Sequence, residues 1–92
     1  MKYTLYFTDT ALRHLELWRR SGQTKTIKKL FNLIGELETH PETGTGHPER
    51  LRGDRSGQWS RTIDKKNRLV YSIDDTRIVV DVLSAMGHYD DR

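Results

Sequence analysis

The sequence predicts an α+β fold: two N-terminal helices packed on a small, mainly antiparallel sheet, in the order β-α-α-β-β-β. Three observations predict it. Residues 2–8 alternate apolar and polar side chains, the following stretch to Leu37 places its apolar residues at helical spacing, and after PETGTGHPE the period returns to two. The chain of 92 residues is expected to form one domain over residues 1–92, with room for one helical layer on one sheet. A large substrate must then lie on its surface.

The opening strand sets Tyr3, Leu5 and Phe7 against Lys2, Thr4 and Tyr6, all β-favouring types or neighbours of them. Thr8, Asp9 and Thr10 supply capping oxygens for a helix whose apolar face is Ala11, Leu12, Leu15 and Trp18 or Leu17, and Ser21-Gly22 ends it. The second helix starts near Thr24. It aligns Ile27, Leu30, Phe31, Ile34 and Leu37, leaves Lys25, Lys28, Lys29, Glu36 and Glu38 on the other face, and stops at His40-Pro41. Strands follow at Trp59 to Asp64, Arg68 to Ile73 and Arg77 to Met86, joined by turns at Asp64 to Asn67 and Asp74-Asp75, with a shorter strand over Glu49 to Arg52. Trp18, Phe31, Trp59 and Tyr71 are read as core anchors.

Composition excludes several classes of function. With no cysteine there is no disulfide framework, thiol nucleophile or thiolate zinc site, and the composition suits a reducing cytosol. The four histidines are scattered, without the short spacing of a helical metal motif, so neither metal nor other cofactor is expected. His14, His40 and His47 are assigned no role. Met1 leads straight into KYTLYFTDT without an apolar leader, and the apolar runs are far too short to span a bilayer; a soluble, cytoplasmic protein without membrane contact is expected.

The net charge of +3 is unevenly spread. Between Arg50 and Arg68 there are seven Lys or Arg against two Asp, whereas Asp74 to Arg92 carries five Asp against two Arg. A local basic surface of this kind attracts phosphates by releasing their counterions. Arg50, Arg52, Arg55, Arg61, Lys65 and Lys66 are the candidate nucleic-acid-binding residues, the alternative being a solvated sheet face dressed with arginine. Strand parity sets Leu69, Tyr71 and Ile73 on one face and Arg68, Val70 and Ser72 on the other. It also groups Arg61 with Trp59 and Ile63, away from the face of Arg68 unless a bulge intervenes.

Glu49, Arg68, His88 and Tyr89 are the candidate catalytic residues. His88-Tyr89 follows Gly87 at the end of the last strand, and Glu49 begins the segment that enters the sheet. A carboxylate and an imidazole at two rims, with an arginine between them, can cleave RNA without a metal. A base removes the 2′-OH proton, the cation stabilises the phosphorane, and an acid protonates the leaving 5′-oxygen.

The motifs G-x-G-H-P-E-R-L at Gly44 to Leu51, S-G-Q-W-S-R at Ser56 to Arg61, N-R-L-V-Y at Asn67 to Tyr71 and G-H-Y at Gly87 to Tyr89 occur together in this order. In them the chain resembles the Txe/YoeB family of type II toxins, within the RelE-like superfamily of mRNA interferases. The resemblance implies a ribosome-dependent endoribonuclease that enters the ribosomal A site, cuts mRNA there and so inhibits translation. It also implies a cognate acidic antitoxin of the YefM/Phd-like kind, with a homodimer among the assemblies open to it. Carried over, Glu49 becomes the general base, Arg68 the phosphate stabiliser, His88 the general acid, and Tyr89 a residue that orients substrate or histidine. Two departures stand out. Where many relatives carry paired arginines after W-S, this chain reads Arg61-Thr62, and it continues past the tyrosine with Asp90, Asp91 and Arg92. The competing readings are a ParE-like gyrase-directed toxin and a non-catalytic nucleic-acid-binding regulator.

Overall fold

Strand β1 (Thr4–Phe7) gives way to helix α1 (Asp9–Ser21) at Thr8, which serves both elements. The Thr8 backbone is extended, and its Oγ1 accepts the Ala11 amide at 3.0 Å while donating to the Leu83 carbonyl at 2.8 Å. One side chain thus caps the helix and ties its start to the last strand. Gly22, left-handed at φ 73°, closes α1, and Arg19 and Arg20 occupy its last turn, where cations suit the helix dipole. The computed structural model describes residues 2–87.

Helix α2 (Thr24–Leu37) buries Leu30, Leu33, Ile34 and Leu37. These positions form one helical stripe. Phe31 lies a step around the helix from Leu30 and is 52% exposed, so it is not the core anchor the sequence suggests; Leu33 takes its place. On α1 Trp18 rather than Leu17 faces inward, and Leu12 is exposed as well. Leu12, Leu15, Ile27 and Phe31 instead line an apolar groove of about 400 Å³ between the helices.

After a connector come β2 (Glu49–Arg50), a 3₁₀ turn (Gly53–Arg55), β3 (Gln58–Thr62), β4 (Arg68–Asp74) and β5 (Val79–Ser84). The sheet order is β1-β5-β4-β3-β2, antiparallel except that β1 runs parallel to β5. The chain crosses from β1 through both helices to the far edge and meanders back, arriving beside β1 in the same direction. The expected architecture is observed. Strand boundaries move where side chains capture turn amides. Asp74 Oδ1 accepts the amides of Thr76 and Arg77, both at 3.0 Å, and holds the turn through Ile78 at φ 56°, so β5 starts at Val79 rather than Arg77. Asp64 does the same for Lys66 and Asn67.

Leu69, Tyr71, Val80 and Val82 meet the helices in the main core, as parity requires. An extra residue on β5, Leu83, separates the partners of Val70 and Tyr71. Val70 is buried on the opposite face, outside that core, as is Leu51. Beyond β5, α1 grips both backbone groups of Ala85: Trp18 Nε1 donates to its carbonyl at 2.7 Å, and its amide donates to His14 Nδ1 at 3.0 Å. His14, assigned no role from sequence, therefore ties the end of the sheet to the helix. Among the described residues no helix is long and apolar enough to cross a membrane.

Candidate active site

The sheet has one face covered by the helices and one that is not. Residues directly opposite in an antiparallel ladder share a face. Glu49 pairs with Ser60, Ser60 with Val70, and Thr62 with Arg68. Glu49, Ser60, Thr62, Arg68 and Val70 therefore stand on the face away from the helices, where Glu49 is exposed and Thr62 and Arg68 half-buried, while Ser60 and Val70 between them are buried. Glu49 and Arg68 are separated by one intervening strand and two residues of offset, about 12 Å between Cα atoms for ordinary strand spacing. Both side chains are long enough to approach one phosphodiester from its two sides.

Arg68 is half-buried, and its Nη1 donates to the carbonyls of Asp64 at 2.8 Å and Asn67 at 3.2 Å. These neutral acceptors aim the guanidinium without cancelling its charge, and no carboxylate pairs with it among the described residues. The Arg68 amide donates to the Gly87 carbonyl at 2.9 Å, and the Gly87 amide to Asn67 Oδ1 at 2.8 Å. Asn67 Nδ2 in turn donates to Asp64 Oδ1 at 2.9 Å. The turn before β4 thus pins the chain at Gly87, the residue immediately preceding His88. His88 and Tyr89 lie outside the described residues.

Of the expected RNA-binding residues, Arg52, Lys65 and Lys66 are exposed and flank the uncovered face in the turns at either end of β3. Arg55 is half-buried, with Nη1 donating to Gln58 Oε1 at 3.0 Å. Arg50 is exposed but alternates with Glu49 onto the helix side, its guanidinium 5.4 Å from the centre of the Trp59 ring.

Arg61 must be removed from the RNA-binding set. It is fully buried, and its guanidinium donates to Tyr71 Oη at 3.1 Å, Glu36 Oε1 at 2.6 Å, and the carbonyls of Thr45, His40 and Thr43 at 3.3, 2.7 and 2.8 Å. All five N–H groups are spent. Tyr71 Oη in turn donates to the Pro41 carbonyl at 2.6 Å. Burial pushes the Glu36 carboxyl up, but hydrogen bonds from Thr45 and the Arg61 guanidinium outweigh it and hold the group below the usual carboxylate range. Burial likewise raises the Tyr71 phenol, with Arg61 opposing it.

The connector closes over this arginine because of its glycines. At Gly44, φ 120°, a Cβ would collide with Glu36 Oε1; at Gly46, φ 85°, it would crowd the Thr62 carbonyl and Arg61 Cβ. The Gly46 carbonyl accepts the Thr62 amide at 2.6 Å. Sequence reasoning missed Glu36, placing it on the polar face of α2. The available signal was Arg61 itself, whose parity with Trp59 demanded a buried counter-charge.

A family model described as the YoeB-like toxin of bacterial type II toxin-antitoxin systems matches residues 7–89. A toxin YoeB from Mycobacterium bovis is 45% identical over 69 residues, 75% of this chain and 79% of that one. A YoeB/ParE toxin from Agrobacterium tumefaciens superposes with a TM-score of 0.86 at 31% identity, covering 94% of this chain and 99% of the other. Staphylococcus aureus YoeB, solved as a dimer and in complex with YefM, superposes at 0.81 and 0.79 with 27% identity, covering 97% of this chain and 100% of that one. Motifs, fold and matched length agree: this chain belongs to the YoeB-like toxins of bacterial type II toxin-antitoxin systems.

Proposed function

We propose that this toxin is a ribosome-dependent endoribonuclease that cuts mRNA in the A site by metal-independent acid-base chemistry, in the bacterial cytoplasm. The observation that carries the reading is the sharing of one uncovered face by Glu49 and an Arg68 whose charge is not neutralised among the described residues, with the chain leading to His88 anchored beside that arginine. Glu49 takes the proton of the 2′-OH. The freed oxygen attacks phosphorus, Arg68 stabilises the charge gathering on the non-bridging oxygens, and His88 protonates the departing 5′-oxygen. The products are a 2′,3′-cyclic phosphate and a 5′-hydroxyl. Tyr89 orients the substrate or the imidazole. Arg52, Arg55, Lys65 and Lys66 hold the messenger and surrounding ribosomal RNA through their phosphates.

The YefM complex of the S. aureus relative supports a YefM-like antitoxin as partner here; its acidic segment inhibits the toxin by lying across the basic face. Complementary charge makes such association fast and salt-sensitive. The dimer of that relative supports a homodimer here as well. Mapping mRNA ends in translating extracts tests the activity. New ends that depend on ribosomes and persist when a chelator is present at levels that leave ribosomes intact are expected. Translation arrest without new ends would favour a non-catalytic binder.

A further inference from the structure

The two helices treat their charges differently. On α1, Glu16 pairs with Arg19 at 2.6 Å and Arg20 at 3.0 Å, so its last-turn cations share a carboxylate. On α2, Lys25, Lys28 and Lys29 stand at i, i+3 and i+4 with no acid in the first turn and no side-chain cap on the helix start. Lysines in the first two turns oppose the helix dipole and, at this spacing, repel one another. They head one stripe of α2 that runs through Asn32 and Glu36 to Thr39 and His40, along a shallow, open groove of about 620 Å³. The groove also contains Glu36, but its Oε1 is committed to Arg61 and to the Thr45 amide at 2.9 Å. The result is an open basic stripe with three cations and a carboxylate already committed to Arg61.

We infer that the α2 groove is a second RNA-binding surface, in which Lys25, Lys28 and Lys29 receive the phosphates of an RNA segment other than the one being cut. This deepens the ribosome-directed function proposed above and rests on it for the identity of the polyanion. Lys25 and Lys29 are one helical turn apart along the groove, so their ammonium groups act as a row of point charges rather than one pocket. The lining favours nucleic acid over an acidic peptide. No large apolar side chain lines this groove, whereas a peptide that folds on binding needs such anchors, and those lie in the separate groove of Leu12, Leu15, Ile27 and Phe31. Because α2 covers the face of the sheet opposite Glu49 and Arg68, the two basic surfaces lie on different sides of the molecule. A toxin of this shape can be held between two RNA elements.

The test is the salt dependence of binding to a fluorescent oligouridylate, measured by anisotropy for the natural chain, for Lys25→Ala/Lys28→Ala/Lys29→Ala, and for the triple Lys→Arg variant. Loss of three phosphate contacts should flatten the slope of log K against log salt by about 2, roughly 0.7 per lysine on single strands. The arginine variant should restore it, and alanine, a strong helix former, should leave the thermal melt intact. An unchanged slope in the alanine variant overturns the inference. So does a variant that keeps the RNA slope while losing affinity for polyglutamate, because the groove would then serve a protein partner. A natural chain that binds RNA with the expected slope yet produces no mRNA ends in extracts would defeat the nuclease reading and leave this surface standing.

Discussion

Arg61 and Arg68 sit on adjacent strands, one residue out of phase, and that single step separates a buried, fully bonded arginine from the one we propose acts on substrate. Arg61 points to the helices and spends every donor on Glu36, Tyr71 and three connector carbonyls. Arg68 points away, is held by two carbonyls, and keeps its charge for an anion. Residue type therefore says little about role until strand phase is known. Much of the family motif pattern, including Gly44, Gly46, Arg61 and Tyr71, builds the buried network rather than the reacting surface.

The sharpest way to break this comparison is to remove each arginine in turn. Arg61→Ala leaves Glu36 without its cation and several carbonyls unpaired, and should cost about 3–5 kcal/mol of stability, visible as a lower denaturation midpoint. A melt like that of the natural chain would mean the network is dispensable. Arg68→Ala and Glu49→Gln should fold normally and reduce single-turnover cleavage roughly 10²-fold or more, the scale of a lost acid-base or electrostatic group. If either cut RNA at the natural rate, the uncovered face would not be the reacting surface.

A smaller effect is expected at the connector. Gly46→Ala forces a side chain into φ 85° against the Thr62 carbonyl, for about 1–3 kcal/mol, and chemical denaturation measures it directly. Smaller again is a pH effect at His14. Burial, and secondarily Arg13, lowers its pKa in the fold, and Nδ1 must be unprotonated to accept the Ala85 amide. The unfolded chain then binds the proton more readily, so this contribution is complete above the unfolded value near 6.5. It declines as pH falls through that value towards the folded one. Melting temperatures between pH 7.5 and 5.5 should drop for the natural chain and less for His14→Gln; equal drops would assign the effect elsewhere. The smallest change is a gain. Thr62 pairs directly with Arg68 on the uncovered face, so Thr62→Arg should raise cleavage several-fold, and no gain would show that Arg68 already suffices.

Local signals made most of the fold legible. Thr8 as a cap, Gly22 as a stop, the Asp64 and Asp74 turns and the alternation at Leu69, Tyr71 and Ile73 all act within a few residues of themselves. What was hidden depends on distant partners. Glu36 looks like a surface acid on a helical wheel because its partner is 25 residues away, and His14 looks idle because Ala85 is 71 residues away. Phe31 is hard to place because Ile27 sits at the edge of the core, helically adjacent both to buried Leu30 and to exposed Phe31. At the candidate site, parity put Arg68 on the open side, but a sequence cannot show that Glu49, on a two-residue strand, falls on that same side.

The parallel pairing of β1 with β5 bears on when the sheet is completed. Thr8, at the end of β1, contacts Leu83 across 75 residues, and Thr4 lies in register with Val79. Contacts so distant along the chain form late and slow folding. During synthesis β1 must wait, without its partner, until β5 has been made. Arg68 likewise stays unanchored until the strand leading to Gly87 has been made, so the face that carries it is the last part of the sheet to be completed.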